Sequence, residues 1–264
     1  MRKWFESADR LLRGRWTAKE DLQQGRVGAS PSVLVALGLA GGAAYGAAMG
    51  LFGLLRPMHA TWKQVAADAF KVPLLFLLTL VVSFPSLYAF SALADSKLRF
   101  IETLKLTLVA VAVNLVLLAS FAPVTAFFTV STTSYSFMVL LNVAFFALSG
   151  IVGLALLGKS LRVVYDVPER PALLPASVSG SESERQAAVA AWDRRREEYR
   201  NVNARPRRIF LAWFLIYGLV GSQMGWILRP FIGAPGLEFS LFRERGGSFL
   251  GAFGEALGKF LLGR

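Results

Sequence analysis

The chain has 264 residues, of which 55% are hydrophobic and only 17% charged, and Lys and Arg outnumber Asp and Glu 29 to 17. A soluble domain carries about 25% charged residues, so this chain has too few to cover a globule, and its apolar residues gather into long runs that call for lipid. An ordinary soluble enzyme, a disordered tail and a disulfide scaffold are thereby excluded. With no Cys and a single His, His59, thiolate chemistry, iron–sulfur clusters, Cys-type zinc sites and multi-histidine metal sites within one chain are excluded as well. No cofactor is expected.

Residues 1–31 form a basic N-terminal segment. Trp4, Phe5, Ala8, Leu11, Leu12 and Trp16 recur at helical spacing, with Lys3, Arg10 and Arg13 off the stripe, which predicts an amphipathic helix. Such a helix either lies on the anionic inner leaflet, with Trp4 and Trp16 at the membrane interface, or packs on the protein's own cytoplasmic face. Both readings use the same physics.

Five segments are long and apolar enough to cross about 30 Å of hydrocarbon: residues 32–55, 73–94, 104–128, 137–157 and 209–228. Ser30 and Pro31 mark the start of the first, since a proline at the first helical position needs no amide partner. Pro73 is read as opening the second in the same way. Pro85 should kink the second span, and Pro123 should bend or end the third. The first span is 24 residues long with 31 residues before it, which fits an uncleaved anchor better than a signal peptide.

Orientation follows from Lys and Arg beside the spans. With the N-terminus inside, the inner connections hold 21 of these residues and the outer ones 8. The N-terminus and residues 158–208 are therefore expected in the cytoplasm and the C-terminus outside. The expected organisation is the N-terminal segment 1–31, a four-span bundle 32–157, a cytoplasmic insertion 158–208, a fifth span 209–228 and an external segment 229–264. The fold class is an all-α polytopic membrane protein with five spans and an amphipathic helix at each end. High Arg, Ala and Gly content points to a GC-rich bacterium, hence an inner membrane.

Within the insertion, residues 168–184 are rich in Pro and Ser and read as a linker. Residues 185–208 mix Arg194, Arg195, Arg196 and Arg200 with Glu197 and Glu198, as a solvated helix or a docking site for a cytoplasmic partner would. Acids interleaved with the arginines argue against nucleic acid. After the fifth span, Trp226 and Arg229 suit the membrane–water boundary. Phe249, Phe253, Leu257, Phe260 and Leu261 then predict a short amphipathic helix.

The most specific local pattern is a glycine ladder: Gly38, Gly42, Gly46 and Gly50 fall four apart in the first span, and Gly221 and Gly225 repeat the spacing in the fifth. Such a ladder lets another helix backbone approach closely. It serves packing within one chain or association with a second, and spacing alone does not separate the two. Asn114, Asn142 and Gln223 are candidate pore-lining or interhelical polar groups. No ionisable residue is expected in the middle of a span. Asp68, Asp95 and Glu102 are read as boundary carboxylates, with Asp68 and His59 on an outer loop. Hydrolase, nucleotide-loop and metalloprotease signatures do not occur.

The stretch Asp68-Ala-Phe-Lys-Val-Pro-Leu-Leu-Phe-Leu-Leu opens a span, and Ser96-Lys-Leu-Arg-Phe-Ile-Glu-Thr-Leu-Lys-Leu leads into the next. This pattern resembles the core of the Yip-type (Ypt-interacting protein) membrane proteins, over about 60 residues. The chain departs from that family in its 158–208 insertion and its 223–236 segment. The resemblance implies five spans, a cytoplasmic N-terminus and a membrane-organising or partner-binding role without catalysis. The leading expectation is thus a non-catalytic scaffold or accessory subunit in contact with anionic lipids and either a membrane-protein partner or further copies of itself. An oligomeric channel or transporter for a neutral or lipid-like solute is the alternative, and a membrane-embedded lipid enzyme ranks third.

Overall fold

The computed structural model describes residues 2–24, 26–55, 62–93, 99–165, 182, 186, 190–191, 193–194, 204–229, 231–233, 239–242 and 247–261. The regular structure of these residues is helical. In chain order the helices are α1 (Arg2–Leu12), α2 (Lys19–Gln23), α3 (Pro31–Leu54), α4 (Trp62–Leu93), α5 (Phe100–Ser131), α6 (Tyr135–Tyr165), α7 (Ala204–Ile227) and α8 (Phe249–Leu261). Four of them, α3 to α6, are long and apolar enough to cross a membrane.

Each long helix has a local reason. α3 begins at Pro31 behind an extended Ser30, as the proline signal predicts, but the Ser30 hydroxyl meets Ser32 Oγ (2.9 Å) and does not cap the helix as its position suggested. α4 corrects the sequence reading: it starts at Trp62, and Pro73 lies inside it rather than at its head. Helix α5 likewise runs through Pro123 to Ser131, so that proline does not end it. A proline within a helix removes one backbone hydrogen bond, and packing against neighbours sustains the helix around it.

α5 is the buried helix and α6 the peripheral one: 61% of the apolar window of α5 is buried, against 17% for α6. α3 packs along both α4 and α5, α6 packs along α5, and α7 packs along α4. Gly225 faces Leu75 and Gly221 faces Thr79, whereas Trp213 reaches Ser83 and Ser86. α7 therefore runs antiparallel to α4.

Two straps fasten opposite ends of this bundle. At one end Val27 N–H donates to Glu102 Oε2 (2.8 Å), and Lys105 Nζ donates to Glu102 Oε1 (2.8 Å), holding the N-terminal segment to the start of α5. On α1, Ala8 and Leu11 are buried while Phe5 and Leu12 are exposed, so one edge of the stripe packs inward and the other does not. Asp9 accepts from Arg13 and holds that guanidinium above its ordinary pKa. At the far end, residues 231–233 sit on the junction of α3 and α4, and α8 rests on α6 with Phe260 near Phe137 (ring centroids 6.2 Å apart). The hydrogen bond from Lys259 draws the Glu255 carboxyl below its usual range.

The sequence-predicted linker 168–184 lies outside the described residues except for Glu182, as do His59, Asp95 and most of 185–203. Gln186, Ala190, Ala191, Asp193 and Arg194 are helical.

Candidate functional site

The glycine ladder is built into the contact between α3 and its own neighbours. A Cβ placed on Gly42 would meet Pro73 Cβ at 2.9 Å, and one on Gly50 would meet Val65 Cα at 2.7 Å. At Gly46 it would stand 2.6 Å from the Asp68 carbonyl carbon and 2.9 Å from Ala69 Cα, with the Asp68 carbonyl oxygen closer still. Gly38 faces the Leu115 side chain of α5 at 3.2 Å, and Gly41, between two ladder positions, faces the Leu115 carbonyl oxygen at 2.8 Å. At Gly41, Gly46 and Gly50 the nearest obstacle is the neighbouring backbone, an approach closer than a side chain allows, whereas Gly38 and Gly42 meet side-chain carbons first. Pro73 and Gly42 form one feature, the ring fitting where a side chain is missing. Gly221 and Gly225 differ, meeting Thr79 and Leu75 at ordinary distances of 3.6 and 3.5 Å.

Because α4 starts eleven residues ahead of Pro73, Gln64, Asp68 and Lys71 fall on its first turns, and all three are buried. Asp68 thus lies buried on a helix near its start, which corrects the expectation that it stands on an outer loop. Its Oδ1 accepts from Gln64 Nε2 (2.9 Å) and its Oδ2 from the backbone N–H of Ile232 (3.1 Å). Ile232 holds a left-handed backbone (φ 68°), an outlier for a β-branched residue. Its N–H is fixed on Asp68 and its carbonyl would stand 2.9 Å from a Cβ on Gly53. Such strain persists only where surrounding contacts over-determine it. Lys71 Nζ lies over the rings of Phe231 (5.9 Å) and Phe242 (5.4 Å). Carboxylate, amide, ammonium and two aromatic faces thus converge where residues 231–233 and Phe242 meet α4. The sequence signal for this cluster was present: Gln64, Asp68 and Lys71 share a helix face at i, i+4 and i+7. It was missed because Pro73 was read as a start.

The two asparagines separate in role. Asn142 is buried, accepts from Tyr45 Oη (2.6 Å) and donates to Met138 O (2.7 Å). It ties α6 to α3. Asn114 sits near the middle of α5, 4% exposed, and its Oδ1 has no hydrogen-bond partner. It lines a crevice with Thr107, Gly150, Gly153, Trp213 and Tyr217. Gln223 is exposed. Among the interface candidates, Trp4 and Trp16 are half-buried, and Trp226 donates to Gly247 O (3.1 Å) beneath the Arg229 guanidinium, 3.6 Å from its ring.

Among the described residues these features define an all-helical arrangement with four helices long and apolar enough to span a membrane, an interlocked α3–α4–α5 core and a buried polar clasp at one end. No family model, curated protein or solved structure matches the chain.

Proposed function

We propose that this chain is a multi-pass protein of a bacterial inner membrane that acts as a non-catalytic scaffold or accessory subunit. Helix α7, 24 residues long and antiparallel to α4, is the fifth span. The N-terminus and the 158–208 insertion face the cytoplasm, and α8 lies on the external surface. The charge asymmetry of the connections supports that orientation.

The glycine seam carries the functional reading. It draws α3, α4 and α5 into one core by backbone contact, and the polar groups Asp68, Asn142 and Glu102 serve as ties between segments. α6 and α7 stand at the edge of that core and present Leu148, Ile151, Leu215 and Leu219, all at least half exposed. Lipid covers these faces in part, and a partner's span docks on the rest. The 158–208 insertion supplies a second, cytoplasmic contact. The resemblance to Yip-type proteins supports a membrane-organising role of this kind.

The test is photocrosslinking in native membranes from Ile151, Leu215 and Leu219, in the full chain and in a chain lacking residues 168–208. The scaffold reading expects one defined protein adduct from at least one face, weakened by the deletion. Lipid adducts alone from all three positions in both chains would refute it. The alternative, an oligomeric channel for a neutral or lipid-like solute, is favoured by the unpartnered Asn114 acceptor. It expects flux in liposomes that Asn114→Leu abolishes, and a silent liposome assay counts against it.

A further inference from the structure

The bundle uses only half of the N-terminal apolar stripe. Ala8 and Leu11 are buried with Leu22, Val27 and Ala29 in the hydrophobic core, while Phe5 is 64% and Leu12 51% exposed. The segment after α1 holds that division in place. Gly14 turns the chain out of the helix with a left-handed backbone (φ 66°), Gly28 N–H donates to Trp16 O (3.2 Å) and Arg26 N–H donates to Asp21 O (2.9 Å). The Val27 strap then fixes this cap to Glu102 in the first turn of α5, with α1 packed on α5 and α2 on α6. A helix docked in this way cannot roll to cover its other edge. Phe5 and Leu12, two turns apart on that edge, stay turned away from the bundle.

The surroundings of the edge say what covers it. Val27 is tied beside the head of α5, where Phe100 and Ile101 are already 52% and 46% exposed and where an apolar run long enough to cross a membrane begins. The cap therefore belongs to an end of the bundle at which apolar side chains start to face outward. Arg10, Arg13 and Arg15 are exposed on α1 and just after it, and residues 1–31 hold seven Lys and Arg against four Asp and Glu. One of those acids, Asp9, is already engaged by Arg13 (2.6 Å). A second copy would bring the same positive rim and be repelled, whereas a layer of anionic headgroups is attracted to it. An apolar edge rimmed by arginines and anchored beside a span is what an interfacial helix presents to lipid.

We propose that the exposed edge of α1 seats in an anionic lipid surface, with Phe5 and Leu12 entering between the headgroups and Arg10, Arg13 and Arg15 reaching the phosphates. The bundle holds the edge ready-made, so no helix has to fold on contact, and the seating responds to the charge of the lipid. The assignment needs the chain to sit in a membrane. It does not need the scaffold reading, and it holds for either orientation of the spans.

The chain has no Cys, so a nitroxide attached to Leu12→Cys reports from one place. The full chain is placed in nanodiscs of phosphatidylcholine or of phosphatidylglycerol. Power-saturation EPR then reads collisions with oxygen, which concentrates in lipid, and with a neutral nickel chelate, which stays in water. In phosphatidylglycerol the label should meet oxygen and escape nickel, and in phosphatidylcholine the nickel collisions should return. Arg10→Glu together with Arg15→Glu should restore nickel access in phosphatidylglycerol, each lost cation weakening the seating about fivefold. Phe5→Cys carries the same measurement if Leu12→Cys fails to fold. Nickel access at both positions in phosphatidylglycerol would overturn the assignment, as would identical readings in the two lipids or indifference to the charge reversal. Poor access to oxygen and nickel alike would overturn it in favour of a protein surface, a second copy included, over this edge.

Discussion

Gly46→Ala is the sharpest probe of the α3–α4 seam. The new methyl carbon would stand 2.6 Å from the Asp68 carbonyl carbon and 2.9 Å from Ala69 Cα. Carbon atoms pack at about 3.5–4.0 Å, so α4 must back away by roughly 1 Å. Both obstacles are backbone, so no side-chain rotation relieves them. Overpacking of this kind costs about 1–3 kcal/mol. The shift also drags Asp68 away from Ile232 N–H, and loosening that hydrogen bond adds about 1 kcal/mol. Gly150→Ala is the matched control, since it lies in a membrane helix with nothing within 4 Å of the added atom. Subtracting one variant from the other cancels the gain in helix propensity, up to about 1 kcal/mol for each. The expected difference is about 2–4 kcal/mol, read by reversible SDS titration in mixed micelles with circular dichroism. Gly50→Ala and Gly42→Ala should fall between the two. Equal stability of Gly46→Ala and Gly150→Ala, within about 0.5 kcal/mol, would refute the reasoning. The ladder would then serve a contact outside this chain.

Asp68→Ala should strip Ile232 N–H and Gln64 Nε2 of their acceptor and cost about 1–3 kcal/mol for each group left unsatisfied. Limited proteolysis after residue 229 should accelerate with it, and unchanged protection would disprove the clasp. Tyr45→Phe removes the donor to Asn142 Oδ1, and a double-mutant cycle with Asn142→Leu should return a coupling of about 0.6–1.7 kcal/mol; zero coupling would mean that the pair does not tie α3 to α6. Glu102→Ala should release the Val27 strap and expose residues 24–30 to protease, whereas Glu102→Gln keeps an acceptor and should protect them. A reporter fused after Arg264 should be active only outside the cytoplasm and one before Met1 only inside, and the reverse pattern would invert the proposed topology.

Most of the span positions were legible because hydrophobic runs and helix length are properties of the sequence alone. The start at Pro31 was legible for the same reason, since a helix needs no amide donor at that position. The head of α4 was not, because Pro73 carries the same local signal as Pro31. What distinguishes them is the partner: Pro73 lies opposite Gly42, 31 positions earlier, and that relation exists only after packing. The misplacement propagated. With the span opened at Pro73, Asp68 and Lys71 counted as loop residues, and their burial on the first turns of α4 was not foreseen. Asn114 and Asn142 look alike in sequence as amides amid apolar runs. Tyr45 separates them by satisfying one, and no local pattern forecasts which asparagine a distant tyrosine will reach.

The lengths of α4, α5 and α6 carry a mechanical consequence. Helices of 31 or 32 residues reach about 47 Å, while the hydrocarbon slab is about 30 Å thick. Each of these helices is therefore several turns longer than a slab of that thickness, and Asp68 stands seven residues from the start of α4. A membrane that thickens or thins by a few ångströms slides along these overhanging turns without unmaking any contact in the seam. Such a molecule keeps its shape while the sheet around it changes, as a post keeps its height in a rising tide.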